Sequence, residues 1–327
     1  MIYFLPMRSR VILIGYSGAE ALDLFGPADV FSGANERAEA PLYDVIIAAL
    51  DEHECKLSCG PSVVARDLAT IRPQPTDTVL VAGGADASIA AMIAKPALMA
   101  WLDRAERVVR RIGSVCDGAF ILAHAGLLDG HRIATHWSSA DRLTRAYPMV
   151  SVEREAIFVR DGKLWTSAGV STGIDMALAI VEDDHGRQLA DSVAAHLVLY
   201  VRRPGFQSQF SEALVAQTSS SDPLGPVVMW VRANLRAPID VAKLARCAGM
   251  SVRSLHRHCL EVIDTTPAKL VEKLRVEHAR TLLTTTQLGT KTIAARCGFG
   301  SPARMARAFD RTLGVAPTAY RMMFSAA

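Results

Sequence analysis

Near the C-terminal end of the chain two segments 50 residues apart repeat each other, and no other feature restricts the fold so closely. Counted from Ser251 and from Ser301, an apolar residue falls four places on (Leu255, Met305) and an arginine six places on (Arg257, Arg307). Cys259 or Phe309 follows at eight and a proline at sixteen (Pro267, Pro317). Each serine is preceded by a short helical stretch and a glycine: Val241 to Ala248 then Gly249, and Lys291 to Cys297 then Gly298. A helix, a glycine turn and a serine-capped second helix make a helix-turn-helix unit. The glycine supplies the left-handed turn residue.

In each unit the apolar positions tie the second helix to a core. This leaves Arg253, Ser254, His256 and Arg257 outward in the first unit, and Ala303, Arg304 and Arg307 in the second. With the capping residues Ser251 and Ser301 they form the candidate DNA-contacting set, because such a helix fits the major groove and arginine pairs with guanine there. The alternative is a solvated basic helix surface. Pro267 to Thr285 reads as one helix with Leu270, Leu274, Leu282 and Leu283 on its apolar side. At 1.5 Å per residue it spans about 28 Å, close to the ~34 Å of one DNA turn, so both second helices could enter successive major grooves.

The charge distribution agrees. The net charge of the 327-residue chain is only +3, yet residues 222–327 hold 16 Lys and Arg against 7 Asp and Glu. The remainder holds 20 against 26. A basic third on an acidic remainder points to nucleic acid as a partner of the tail. Apolar residues at 50% and charged ones at 21% exclude a largely disordered chain. No apolar run reaches the ~18 residues of a membrane span. The opening MIYFLPM lacks a basic leader and a cleavage site, so no secretory signal and a cytoplasmic location are expected. Six cysteines in such a chain do not form a disulfide framework. His53, Cys55 and Cys59 match no common zinc spacing, and neither a metal nor a cofactor is expected.

Upstream the pattern changes. Arg10 to Tyr16, Tyr43 to Leu50, Thr78 to Ala82 and Ile112 to Cys116 are short apolar runs bounded by Gly or polar residues, with helical stretches such as Ser88 to Arg111 between them. That alternation predicts a parallel sheet covered by helices. A helix from about Gln188 to Arg203 closes the domain at Pro204-Gly205, and the Pro, Gly and Ser-rich residues 206–226 form the linker. Pro226 suits the first turn of a helix reaching about Leu235. The run Glu182-Asp183-Asp184 is read as solvated surface.

Ile112-Gly-Ser-Val-Cys116-Asp-Gly118 ends a strand and opens a helix. A sharp strand-to-helix turn with nearby glycines presents its central side chain above the sheet edge, the arrangement of a nucleophile elbow. A buried core cysteine is the alternative.

Taken with these residues, the tail resembles the AraC/XylS family of regulators, above all in RCGFGSPARMARAFDRTLGVAPTAYRMMF from Arg296 to Phe324. Residues 1–205 resemble the ThiJ/PfpI superfamily, with its class I glutamine amidotransferase-like fold. The matching features are Cys116 at the elbow, Asp23 in LDLFGPADVF, Gly83-Gly84 ending a strand, and His136 in ATHW. The combination resembles GlxA-type regulators.

The resemblance implies an α/β fold with a flavodoxin-like parallel sheet at 1–205, then an all-α domain with two helix-turn-helix units at 227–327. It also implies that Asp23, Gly83, Gly84, Cys116, Asp117, His136 and Trp137 surround a small-molecule effector, with the glycine pair offering N–H groups to an anion. A homodimer, promoter DNA and RNA polymerase are the implied partners, with activation the expected sense of regulation. Two carboxylates beside Cys116 suit an amine or amino-acid-like effector. His136 is also readable as a core or capping imidazole.

PfpI-type peptidases carry His after the elbow cysteine, whereas Asp117 stands here. An anion beside the sulfur raises the thiol pKa, so the expectation is a protein that is not an enzyme. Two other readings stay open. Isocyanide-hydratase-like members pair an Asp at the Asp23 position with the elbow Cys, which leaves a Cys-dependent hydratase or amidase with a DNA-binding tail. An accessible elbow thiol could also sense oxidants.

Overall fold

The computed structural model describes residues 8–154, 156–199, 203, 205, 223–263, 265–313 and 315–324. It divides into two compact units, Met1–Gln209 and Phe210–Ala327. Most of the expected linker, residues 206–222, lies outside the described residues. The end of that segment is already helical from Leu224.

In the first unit eleven strands are described: β1 (Ser9–Ile14), β2 (Tyr43–Ala49), β3 (Glu54–Lys56), β4 (Ser62–Val64), β5 (Arg66–Asp67), β6 (Thr78–Val81), β7 (Arg111–Val115), β8 (Arg132–Ile133), β9 (Ser151–Val152), β10 (Phe158–Asp161) and β11 (Leu164–Ser167). The main sheet has seven of them in the order β10-β11-β7-β6-β1-β2-β5. All its neighbours run parallel except the edge pair β10 and β11. The central strands are unbroken Val, Ile and Leu runs because both faces are covered: Val11 to Ile14 and Val79 to Val81 are buried throughout.

Helices α1 (Ala21–Ala38), α2 (Asp86–Ile93), α3 (Pro96–Val108), α4 (Ala119–His124), α5 (Ala140–Ala146), α6 (Thr172–His185) and α7 (Arg187–His196) complete the unit. α1, α6 and α7 pack on one another as one layer, while α2, α3 and α4 form another against β6 and β7. Every strand that feeds the elbow therefore points its carboxyl end at the same edge, where open α/β sheets bind ligands.

Three sequence expectations need correction. The helical stretch expected over Ser88 to Arg111 is divided into two helices, because Pro96 disfavours helical backbone at Lys95 and starts α3 as its first residue. Arg111 itself belongs to β7. The closing helix ends at His196 rather than Arg203, and Val198 then takes a left-handed backbone (φ 56°). Pro204 lies outside the described residues. The acidic run is not a solvated surface: Arg111, buried beside Trp165, donates to Asp183 at 2.6 Å and to Asp184 at 2.5 Å. Tyr43 donates to Asp184 at 2.8 Å. A buried guanidinium needs such partners, because its desolvation would otherwise be uncompensated.

The second unit is all helical over its described residues. A first helix, Leu224–Ala233, precedes the helix pair Val241–Cys247 and Val252–Ile263. The connecting helix Pro267–Thr285 leads to the pair Thr290–Arg296 and Pro302–Leu313, and Pro317–Phe324 follows. Asp240 caps the first helix of its pair and Thr266 caps the connecting helix, each accepting from the amide three residues on. Among the described residues no helix is long and apolar enough to cross a membrane.

Candidate functional site

β7 delivers its last residue, Val115, to the sheet edge, and a single 3-10 turn, Cys116–Gly118, leads into α4. Cys116 has φ 56°, a left-handed conformation that a non-glycine residue adopts only when its surroundings hold it there. This is the strained turn expected of an elbow. Thr135 fixes it from behind, its hydroxyl donating to the Cys116 carbonyl at 3.0 Å.

Asp23 arrives from the first turn of α1 and is 1% exposed. It accepts from the Gly83 amide at 3.0 Å and from the Val170 amide at 2.8 Å. Burial still pushes its pKa up to about 7, against the two amides that favour the charged form. These bonds alter two expectations. The Gly83 N–H is engaged by Asp23 rather than offered to an anion, and Asp23 is a buried clamp between two loops rather than an open carboxylate. Gly84 faces the Gly18–Glu20 loop, bridging to Ala19.

Asp117 is the more available acid. Ser139 donates to its Oδ2 at 2.9 Å and Arg142 stands 3.6 Å from that oxygen, while Oδ1 is buried with no partner among the described residues. Burial raises its pKa, and Ser139, His136 and Arg142 oppose the rise. Arg142 also bonds Asp86 and lies over the Phe120 ring, which fixes it beside the elbow. His136 turns its Nδ1 to Ser138 Oγ at 2.7 Å, so as placed it is not a base hydrogen-bonded to the sulfur. Trp137, 51% exposed, packs on His136 with ring centroids 5.4 Å apart.

Burial, then the fields of Asp23 and Asp117, push the Cys116 thiol well above its ordinary range. Burial and the two carboxylates thus disfavour the thiolate form. The site brings together a partly exposed carboxylate, an imidazole and an exposed indole. Among the described residues no cluster of three His, Cys, Asp or Glu side chains could hold a metal ion.

Sequence reasoning missed the β11–α6 loop. Gly169, at φ 93°, leaves room for the elbow, since a Cβ there would stand 2.2 Å from Cys116 Cβ. Val170, also left-handed at φ 51°, supplies the amide that holds Asp23. The signal was the SAGVSTG segment just after a strand, a glycine-bearing loop at the same sheet edge. Ser139 and Arg142 carried no local signal.

In the second unit Ser251 accepts from the Ser254 amide at 3.1 Å and Ser301 from the Arg304 amide at 3.2 Å, so both are helix caps. Leu255, Cys259, Met305 and Phe309 are fully buried. Arg253, Arg257, Ala303, Arg304 and Arg307 are exposed, with Ser254 and His256 half-buried. The turns use left-handed Gly249 and Gly298, and the second adds Gly300.

A cysteine elbow on a flavodoxin-like sheet, in one chain with two helix-turn-helix units, defines a class of transcriptional regulators with a small-molecule-type α/β domain. The chain belongs to the DJ-1/PfpI family, whose profile matches residues 9–183, and carries a helix-turn-helix domain matched over residues 244–323. It is 32% identical to the HTH-type transcriptional regulator GlxA of Rhizobium meliloti, over 97% of this chain and 94% of that protein. It is 30% identical to the HTH-type transcriptional regulator GbdR of Pseudomonas aeruginosa, over 87% and 76%. The isonitrile hydratase of Pseudomonas putida is 30% identical over 62% of this chain and 83% of its own. A ThiJ/PfpI family protein from Pseudomonas syringae shares the fold at a TM-score of 0.55 and 22% identity, covering 74% of this chain and 89% of that one.

Proposed function

We propose that this regulator acts as a homodimer in the cytoplasm, binds promoter DNA through Ser251, Arg253, Ser254, His256 and Arg257 and through Ser301, Ala303, Arg304 and Arg307, and activates transcription with RNA polymerase. Its effector is a small metabolite held beside Cys116. The observation that carries the DNA assignment is the pair of serine-capped helices with exposed arginines at matching positions. Selecting duplexes from random-sequence DNA with the full chain tests it: recovery of one motif with two arginine-readable halves is expected. Recovery of no enriched sequence would overturn it.

For the effector, the Asp117 carboxylate and the exposed Trp137 favour a cationic or amine ligand. A protonated amine would be attracted by the Asp117 carboxylate, whose side chain is 15% exposed, and could rest on the indole face. Thermal-shift screening of amino acids and quaternary amines against simple anions checks this, with stabilisation by amines lost in Asp117→Asn. Stabilisation by anions alone would reverse the reading.

A second reading, a Cys116-dependent hydratase or amidase, is favoured by the strained elbow and the likeness to the isonitrile hydratase. The raised thiol pKa and the bond from His136 to Ser138 count against it. Turnover of isonitriles, nitriles or amides that disappears in Cys116→Ala while DNA binding persists is the result that would establish it.

A further inference from the structure

The two helix-turn-helix units are joined by the connecting helix Pro267–Thr285. The first unit's cluster runs from Leu224 to Leu274 and, among the described residues, includes none from the second. Between the units lies a cleft of about 420 Å³. Ile239, Val241 and Leu244 border it from the first unit, Val271 and Arg275 from the connecting helix, and Phe299 from the turn of the second.

Polar contacts bridge this gap. Arg275 donates from its guanidinium to the Ala237 carbonyl at 3.0 Å, in the segment after the first helix. The same guanidinium packs against Gly298, where a Cβ would lie 2.9 Å from Nη2 and 1.9 Å from the Leu235 carbonyl oxygen. Gly298 is left-handed (φ 75°) and is the turn residue of the second unit. One side chain thus touches the first unit, the connecting helix that carries it, and the turn that aims the second recognition helix. Its Nε is buried with no hydrogen-bond partner among the described residues, and burial lowers its pKa. Other polar contacts hold the connecting helix to one side or the other, such as Arg311 to Glu272 at 2.7 Å and Arg280 to the Tyr320 hydroxyl at 3.0 Å.

We propose that Arg275, seated between the Ala237 carbonyl and Gly298, is a positioning residue that fixes the offset between the two recognition helices and so sets the half-site spacing the protein accepts on DNA. The inference rests on the two-helix DNA reading above. Two linked readers bind together with an effective concentration set by how well their span matches the target, so a loosened junction weakens binding to both halves at once and leaves each half unaffected.

The test uses the full chain and the duplex it selects from random-sequence DNA, with probes in which either half is scrambled and probes in which the halves are one base pair closer or further apart. Arg275→Met keeps the packing and removes the donor; Arg275→Gln keeps a donor too short to reach. For both we expect about tenfold weaker binding to the intact duplex, unchanged binding to the half-scrambled probes, and a flattened dependence on spacing. Should the Met variant melt below the assay temperature, the Gln variant carries the same expectation. Wild-type-like spacing dependence in a folded variant, or equal losses on intact and half-scrambled probes, would overturn the proposal while leaving the DNA reading intact. A wild-type chain that selects no two-part duplex would overturn both.

Discussion

At the scale of single residues, Asp23 shows how a conspicuous acid can serve a different end from the one its type suggests. Its two oxygens hold the Gly83 and Val170 amides, tying the loop after β6 to the loop after β11. Because its pKa rises to about 7 in the fold from about 4 in an unfolded chain, the folded state binds the proton more tightly. The group's contribution is fully present below about pH 4 and is lost as pH rises towards 7, by up to about 1.4 kcal/mol per unit. Asp23→Asn should be less stable near pH 4, since one buried N–H loses its acceptor, and should lack that slope, so the deficit should shrink as pH rises. Urea unfolding of both proteins between pH 4 and 8 checks it, and a difference constant with pH would refute the assignment. Gly169→Ala should cost about 1–3 kcal/mol through overpacking against Cys116, with left-handed strain added. The elbow was legible because Gly113, Cys116 and Gly118 are neighbours in sequence. Gly169 and Arg142 were not, because only the chain's return brings them to Cys116 and Asp117.

At the scale of elements, the connecting helix runs from Pro267 to Thr285 as read from the sequence, because its start is local chemistry: Thr266 caps it and Pro267 opens it. The recognition helices are likewise set by Ser251 and Ser301 and by buried residues four and eight places on. Exposure of Arg304 and Arg307 on one such helix leads to a specific expectation. Arg304→Ala and Arg307→Ala should each weaken binding to the selected duplex by about 1–3 kcal/mol where the side chain meets a base edge, with relaxed preference at that position. A mobility shift unchanged by both substitutions would remove the second recognition helix from the groove. Helix ends set by tertiary contacts were harder to read, as the early end of α7 at His196 shows.

At the scale of the whole molecule, the small net charge is the balance of a basic helical unit and an acidic α/β unit. DNA affinity should therefore fall linearly with salt on logarithmic axes, by about 0.9 per phosphate contacted. Removing Arg253 should lower that slope by about 0.9 if it meets phosphate, a change that titrations between 50 and 200 mM salt would resolve. The sequence by itself determined the two-part architecture, the elbow and the repeated units, because charge balance, periodicity and residue spacing are all properties of the linear chain. Tertiary structure alone decided the rest. Arg111 meets Asp183 and Asp184 across more than 70 residues, so an acidic run that reads as solvated became an internal ion-pair network. Asp23 and Asp117, alike in the sequence, were separated into a buried clamp and a partly exposed acid by which amides and side chains the folded chain brought to each. Charge and spacing are local properties of a sequence, whereas desolvation and hydrogen-bond partnership depend on what folding places alongside.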